Sequence, residues 1–114
     1  MELQSAILVL SALAQPTRLE TFRLLVRHAP EGLPAGEVAR GLGVPQNTLS
    51  SHLSILAQAG LVTSTRHGTT LIYRAELDRL RQLVGFLLRD CCGGRSEICA
   101  PIVAELSSCL CENC

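Results

Sequence analysis

Residues Glu37 to Val62 read EVARGLGVPQNTLSSHLSILAQAGLV, and this stretch decides the fold. It predicts a short helix, Pro34 to Leu42, that ends at Gly43 because glycine readily adopts a positive φ. A longer helix then begins at Pro45 and runs to Ala59, where Gly60 closes it. Two helices joined by so tight a glycine turn indicate a single compact supersecondary unit.

The longer helix has two different faces. Leu49, Leu53 and Leu56 recur at helical spacing and form one stripe that faces a core. Ala39 and Gly43 are small enough to let the short helix cross it closely. The opposite, leading face is polar and uncharged, and it carries Gln46, Asn47, Ser50, Ser51 and Ser54, with His52 at its edge. This combination is the pattern of a helix-turn-helix, in which the longer helix is the recognition helix.

An alternating segment follows directly, LVTSTRHGTTLIYRAEL at residues 61–77. The alternating positions around the sequence RHG are Val62, Ser64 and Arg66 before it and Thr70, Ile72 and Arg74 after it. This alternation predicts two strands of a β-hairpin with Gly68 in the turn. A hairpin immediately after a recognition helix is a wing.

Helices are predicted on both sides of this unit. The first, Leu3 to Leu13, is apolar on most faces, and a second runs from Pro16 to His28. The final helix, Glu76 to Asp90, has a leucine stripe that is wider than one monomer needs. We therefore expect a mostly α fold, a winged helix-turn-helix of element order ααααββα, which forms a homodimer through its first and last helices.

The composition limits the function. The chain has 114 residues, ten cationic and ten acidic side chains, and a formal net charge of zero. A chain of this length holds one core, so we expect no separate catalytic domain and no enzyme. All ten cations are arginine, and residues 16–74 hold six of them against three acids. The middle of the chain is therefore mildly basic, although zero net charge gives no general field for nucleic acid.

The apolar N-terminal run, MELQSAILVLSALAQP, could be taken for a targeting or membrane segment. Glu2 precedes it, no basic region accompanies it, and Pro16 stops it well short of a membrane span. We therefore expect a cytoplasmic protein with no membrane partner.

All six cysteines follow residue 90, at Cys91, Cys92, Cys99, Cys109, Cys111 and Cys114. Without a signal peptide, this favours metal or redox chemistry over a disulfide framework. Adjacent Cα atoms are about 3.8 Å apart, less than the usual disulfide span of about 4.4 to 6.8 Å. Cys91 and Cys92 are therefore better placed to chelate than to crosslink. Gly93 and Gly94 permit a turn that would bring Cys99 back to the pair.

Three stretches together resemble the ArsR/SmtB family of winged-helix metalloregulators, over roughly residues 5–92. They are ALAQPTRLETFRLL in the second helix, EVARGLGVPQNTLSSHLSILAQAGLV in the helix-turn-helix and RHGTTLIYRA in the wing. The resemblance implies a homodimeric transcriptional repressor that binds palindromic, double-stranded operator DNA. It also implies that a metal or metalloid releases the repressor from that DNA.

By this resemblance, the recognition helix and the wing tip would contact DNA. The helix residues expected to face the major groove or its phosphates are Gln46, Asn47, Thr48, Ser50, Ser51 and His52. Glutamine and asparagine pair bidentately with adenine, whereas family members often carry a long or basic residue where Ser51 stands. Arg66 and His67 would contact the backbone or the minor groove. The alternatives are a solvated polar face, an ordinary charged turn and, for His52, a packed and hydrogen-bonded ring.

The family's inducer site moves between members. The pattern ELCVCDL, with two cysteines at the start of the third helix, corresponds here to GLPAGEV, with Pro34 and Gly36 in their places. The final helix lacks the histidine ligands of zinc-type members, and residues 45–59 lack the cysteines of cadmium-type members. The resemblance is therefore to the arsenite-responsive subgroup, in which Cys91, Cys92 and Cys99 would bind As(III) or Sb(III) as the inducer.

Thiol chemistry is compatible with that inducer. Three soft thiolates suit a three-coordinate metalloid better than tetrahedral zinc, and the C-terminal end of a helix disfavours a redox thiolate. We expect residues 1–92 to form the DNA-binding and dimerisation domain and residues 93–114 a cysteine-rich metalloid-binding tail, with Cys109, Cys111 and Cys114 as accessory candidates. The open alternatives are a thiol-redox-responsive repressor, a Zn- or Cd-responsive repressor, a small arsenate reductase and a winged helix that contacts protein.

Overall fold

The computed structural model describes residues 1–88, 100–102 and 104–105. Within them the chain forms five helices and three strands, and residues 100–102 and 104–105 are also helical. The elements are α1 Leu3–Leu13, α2 Pro16–Arg27, β1 Leu33–Pro34, α3 Ala35–Leu42, α4 Gln46–Gln58, β2 Val62–His67, β3 Thr70–Ala75 and α5 Leu77–Leu88. The predicted winged helix-turn-helix is confirmed.

The chain divides into two compact units, Met1–Leu83 and Val84–Cys114. The first unit holds the helix-turn-helix, the sheet and the start of α5. The predicted final helix extended to Asp90, whereas α5 is described from Leu77 to Leu88 and the next residues lie outside the described part. All six cysteines lie outside it too.

Strand β1 is an addition to the predicted order of elements. It pairs antiparallel with β3 in the register Leu33 to Tyr73 and Pro34 to Ile72, which gives a sheet of order β1-β3-β2. Pro34 is tolerated because β1 is an edge strand, where a missing N–H costs no ladder bond. Since β1 holds two residues directly before α3, the pairing connects the start of the helix-turn-helix to the wing.

The turn between α3 and α4 forms at Gly43 as predicted. Two roles were expected of this glycine, a positive φ and a close helix crossing, and only the first is observed. Gly43 caps α3 in the left-handed region, with φ of 70°, and its amide donates to the carbonyl of Arg40. A Cβ at Gly43 would meet nothing within 4 Å. The expectation that Gly43 allows a close helix crossing is therefore wrong. The glycine of α3 that allows a close helix contact is Gly41, and the contact is with α2 instead of α4, since a Cβ there would lie 3.3 Å from Cδ2 of Leu24.

The core of the first unit lies among the helices and beneath the sheet. The predicted stripe of α4 is fully buried, at Leu49, Leu53 and Leu56. These leucines belong to a wider set of buried apolar side chains from α1, α2, α3 and the start of the sheet, which includes Val9, Phe22, Leu25, Val38, Leu61 and Val62. Burial of one side of α4 fixes which side faces outward.

Helices α1 and α5 expose apolar surface. Helix α1 buries only small or β-branched residues, Ala6, Val9 and Ala12. Its large side chains are exposed, and so are two leucines of α5; these residues are Leu3, Ile7, Leu8, Leu10, Leu77 and Leu87. The surplus apolar surface expected on the first and last helices is therefore present. Among the described residues, no helix is both long and apolar enough to cross a membrane.

Candidate nucleic-acid interface

The outward side of α4 is polar for most of its length. Because the leucine stripe is buried, Gln46, Asn47 and Thr48 are exposed in its first turn. Ser50 and Ser51 follow in the next turn and are also exposed. Five of the six residues predicted to face DNA from this helix thus lie on one accessible surface.

The hydroxyl groups of the two serines on this surface donate within the helix. The Ser50 hydroxyl donates to the carbonyl of Gln46 at 3.2 Å, and the Ser51 hydroxyl donates to the carbonyl of Thr48 at 3.1 Å. The side-chain oxygen of Asn47 accepts from the backbone N–H of Thr48 at 3.0 Å. In this arrangement the serines present oxygen lone pairs outward, which suits groups that donate hydrogen bonds.

His52, the sixth residue, is placed differently. Its ring is half-buried, and Nδ1 lies 3.5 Å from Nη1 of Arg18 in α2. This contact sets the ring against α2, where a guanidinium N–H can donate to Nδ1 in the tautomer that leaves Nδ1 unprotonated. The geometry thus favours a packed, hydrogen-bonded ring for His52, and a DNA contact through it stays a prediction.

The wing lies beside the recognition helix. Strands β2 and β3 pair in continuous register around the turn at Gly68, and Arg66 and His67 are exposed near the tip. Arg74 of β3 donates to the side-chain oxygen of Thr65 at 2.6 Å, across the two strands. The hairpin therefore presents its two predicted DNA-contacting residues on a braced sheet.

A cleft of about 380 Å³ joins the wing to the two helices of the helix-turn-helix. Gln46 and Ser50 of α4 line one side of it, Arg66 lines the wing side, and Ala35 and Gly36 at the start of α3 complete it. Arg66 is the only charged residue among the described residues that line it. Helices α3 and α4 both begin at this cleft, so the positive ends of two helix dipoles add to the arginine charge.

This arrangement is suited to a phosphate group, since helix N-termini and an arginine together attract anions and supply hydrogen-bond donors. Sequence reasoning found Gln46, Ser50 and Arg66 but missed the contribution of Ala35 and Gly36. The missing signal is strand β1, because its pairing with β3 brings the start of α3 to the wing. Two residues are too few to show an alternating pattern.

The predicted metalloid ligands lie elsewhere in the chain. Cys91, Cys92 and Cys99, and the accessory candidates Cys109, Cys111 and Cys114, are all outside the described residues. Within the described part, no group of three His, Cys, Asp or Glu side chains is placed to hold a metal ion. The inducer site therefore stays a prediction from the sequence.

Residues 13–65 match a family model described as a helix-turn-helix domain. The HTH-type transcriptional regulator KmtR of Mycobacterium tuberculosis is 38% identical over 76 residues, which make up 67% of this chain but only 56% of KmtR. The homodimeric winged helix-turn-helix DNA-binding domain of Mb0332 from Mycobacterium bovis, described as a possible ArsR-family transcriptional regulator, is 30% identical with a TM-score of 0.63. The match covers 75% of this chain and 78% of the Mb0332 chain.

A second solved structure is described as a possible transcriptional regulator for arsenical resistance. It is 30% identical to this chain, with a TM-score of 0.59. The match covers 68% of this chain and 77% of the chain in that structure. The winged helix-turn-helix, its exposed recognition helix and these matches have one explanation: the chain belongs to the ArsR/SmtB family of winged helix-turn-helix regulators.

Proposed function

We propose that this protein is a transcriptional repressor that binds operator DNA as a homodimer and releases it when As(III) or Sb(III) binds Cys91, Cys92 and Cys99. One observation carries the DNA-binding part of the proposal. Gln46 and Ser50 on the exposed polar side of α4 and Arg66 of the wing line a single cleft at which two helices begin.

In this proposal, contacts to the phosphate backbone and contacts to bases come from different parts of the surface. A backbone phosphate occupies the cleft, where Arg66 and the start of α3 neutralise it. Helix α4 then enters the adjacent major groove, and Gln46 and Asn47 in its first turn read base edges. An amide side chain is suited to adenine, to which it both donates and accepts.

The apolar surfaces of α1 and α5 support dimerisation. Leu3 of α1 is 61% exposed and Leu77 of α5 is 46% exposed, which is costly for leucines in water. A two-fold dimer through these helices would present two recognition helices, each suited to one half of a palindromic operator, with half-sites about 34 Å apart. The homodimeric state of the Mb0332 domain is compatible with this assembly.

The chemistry of the cysteines supports the inducer. Three thiolates provide three soft donors, which match the coordination of arsenite or antimonite. The likeness to a structure described as a possible regulator for arsenical resistance points the same way. Binding near the end of the last helix would alter the helix that helps to form the dimer, and thus the spacing of the recognition helices.

The experiment begins by selecting operator DNA from a random duplex library and then titrating ions into the complex. We expect arsenite and antimonite to release the DNA at lower concentrations than zinc or cadmium. Single Cys91→Ser, Cys92→Ser and Cys99→Ser variants should keep their affinity for DNA and lose the response to arsenite. If all three variants still release operator in arsenite, the assignment of the inducer site is wrong.

Two alternative kinds of repressor would use the same DNA-binding surface. Titrating the inducer of each into the operator complex distinguishes them. Release by peroxide or polysulfide without any metalloid would identify a thiol-redox repressor, in which an upstream thiol bridges to Cys99. Release by zinc or cadmium alone would identify an ordinary metal sensor. Neither result would alter the role of the cleft at α4.

A further inference from the structure

Two arginines from other helices hold α4 on the sides that do not face outward. Arg18 belongs to α2 and contacts the middle of α4, whereas Arg79 belongs to α5 and contacts its C-terminal end. Both side chains are half-buried, so neither is an ordinary solvated arginine. Each also involves one of the two helices that expose apolar surface.

Arg18 connects the end of α1 to α4. Its Nε donates to the carbonyl of Ala12 at 2.7 Å, which satisfies one of the last carbonyls of α1. Its Nη2 lies 3.5 Å from the carbonyl of Ser11, which also accepts from the backbone N–H of Ala14. Nη1 of the same guanidinium lies 3.5 Å from Nδ1 of His52. The backbone of Arg18 is itself held, because its N–H donates to the side chain of Gln15 at 2.8 Å.

Arg79 connects α5 to the end of α4. Its Nε donates at 3.0 Å to the carbonyl of Ala59, the residue that caps α4. Gly60 follows with φ of 80°, and a Cβ there would lie 3.0 Å from Nε of Arg79. Glycine at this position therefore permits both the turn and the approach of the guanidinium. Both residues of this contact lie within the first compact unit.

We propose that Arg18 and Arg79 are positioning residues that transmit the placement of α1 and α5 to the recognition helix α4. The inference rests on the proposed function in one respect, since it takes α1 and α5 to be the dimer interface. A shift of either helix must then carry α4 with it or break a charge-assisted hydrogen bond, which is the stronger kind. Operator affinity therefore depends on the positions of α1 and α5 relative to α4.

The planar guanidinium is essential to this role. Arg18 uses three of its nitrogens toward two helices at once, which the single ammonium of a lysine does not reproduce. The alternative is that one or both arginines contact DNA phosphates directly. Salt dependence separates the two roles, because each lost phosphate contact lowers the slope of log K against log salt by about 0.9.

The test compares Arg18→Gln and Arg79→Gln with Arg23→Gln and Arg81→Gln. The controls make the same charge change at exposed sites on the same two helices. We expect operator affinity to fall at least about tenfold in the first pair, the size of losing one hydrogen bond to a charged group. The salt slope of Arg18→Gln and Arg79→Gln should equal that of the wild type. The controls should bind operator with an affinity within about twofold of the wild type.

Hydrogen exchange provides a readout that needs no DNA. In Arg79→Gln the amides of the last turn of α4 should exchange faster than in Arg81→Gln, whereas in Arg18→Gln the change should centre on the turn around His52. A Leu8→Glu substitution, designed to separate the dimer, should speed exchange of α4 in the wild type. It should add little in the Arg18→Gln background, because that connection is already lost.

Three results would overturn the inference. The first is that Arg18→Gln and Arg79→Gln have the same operator affinity and hydrogen exchange as the control variants. The others are a salt slope lowered by about 1.8 per dimer, or additive effects of Leu8→Glu and Arg18→Gln on the exchange of α4. Where a glutamine variant does not fold, Arg18→Lys or Arg79→Lys replaces it. Because lysine keeps the charge, operator affinity and hydrogen exchange are the criteria for that variant. If the wild type binds no duplex from the library, the proposed function fails, and the exchange measurements alone decide the role of the two arginines.

Discussion

Replacing Arg66 by glutamine should change how operator binding depends on salt more than any other single substitution in the wing. Arg66 carries the only charge among the described residues that line the cleft between α3, α4 and the wing. Glutamine keeps much of the side-chain length and its ability to donate, but it removes the charge. The substitution therefore tests whether a phosphate lies in that cleft.

The expected magnitude follows from the number of phosphates neutralised. Each phosphate contact contributes about 0.9 to the slope of log K against log salt. A homodimer presents Arg66 twice, so the variant should show a slope shallower by about 1.8. Between about 50 and about 200 mM salt, the wild type should then lose about twelvefold more affinity than the variant.

Fluorescence anisotropy with a labelled operator measures both slopes under the same conditions. Arg81→Gln is a suitable control, because Arg81 is an exposed arginine of α5 that pairs with Asp78. The control should keep the slope of the wild type. A slope for Arg66→Gln within about 0.5 of the wild type would refute the phosphate assignment, whatever its affinity at one salt concentration.

Three further predictions concern the core, the dimer and base recognition. Leu53→Ala should lower the free energy of unfolding in urea by about 2 to 5 kcal/mol, because Leu53 is fully buried. Ser54→Ala, at the exposed neighbouring position, should leave that free energy unchanged. Leu8→Glu should shift the mass in light scattering from dimer to monomer, whereas Arg23→Glu at an exposed site on α2 should leave a dimer. Gln46→Ala should cost about 1 to 3 kcal/mol of discrimination at one base pair in a competition assay, with Gln58→Ala at the far end of α4 unchanged. A variant of Gln46 with unaltered base preference would remove that residue from the reading surface.

The helix-turn-helix and the wing could be predicted from the sequence because their signals are local and repeated. The stripe of Leu49, Leu53 and Leu56 fixes one side of α4, and the alternation around Gly68 fixes the hairpin. Such patterns report which side of an element is buried. They consequently found the exposed residues of α4, whereas the DNA-facing role of Arg66 came from the resemblance to the ArsR/SmtB family.

The features missed from the sequence depend on contacts between distant segments. Strand β1 has two residues and is defined only by its partner β3. The contact between Arg18 and His52 joins positions 34 residues apart, so no local pattern predicts it. Side-chain pairs of this kind follow from packing, which periodicity does not specify.

The measurement that tests the account most directly is the change in operator affinity caused by arsenite, in the wild type and in a Cys91→Ser, Cys92→Ser, Cys99→Ser triple variant. Without arsenite the two proteins should bind operator equally, because α4 and the wing are the same. With arsenite the wild type should lose at least about a hundredfold in affinity, within the upper range of allosteric coupling, and the triple variant should lose none. Equal release of both proteins, or no release of the wild type, would contradict the account.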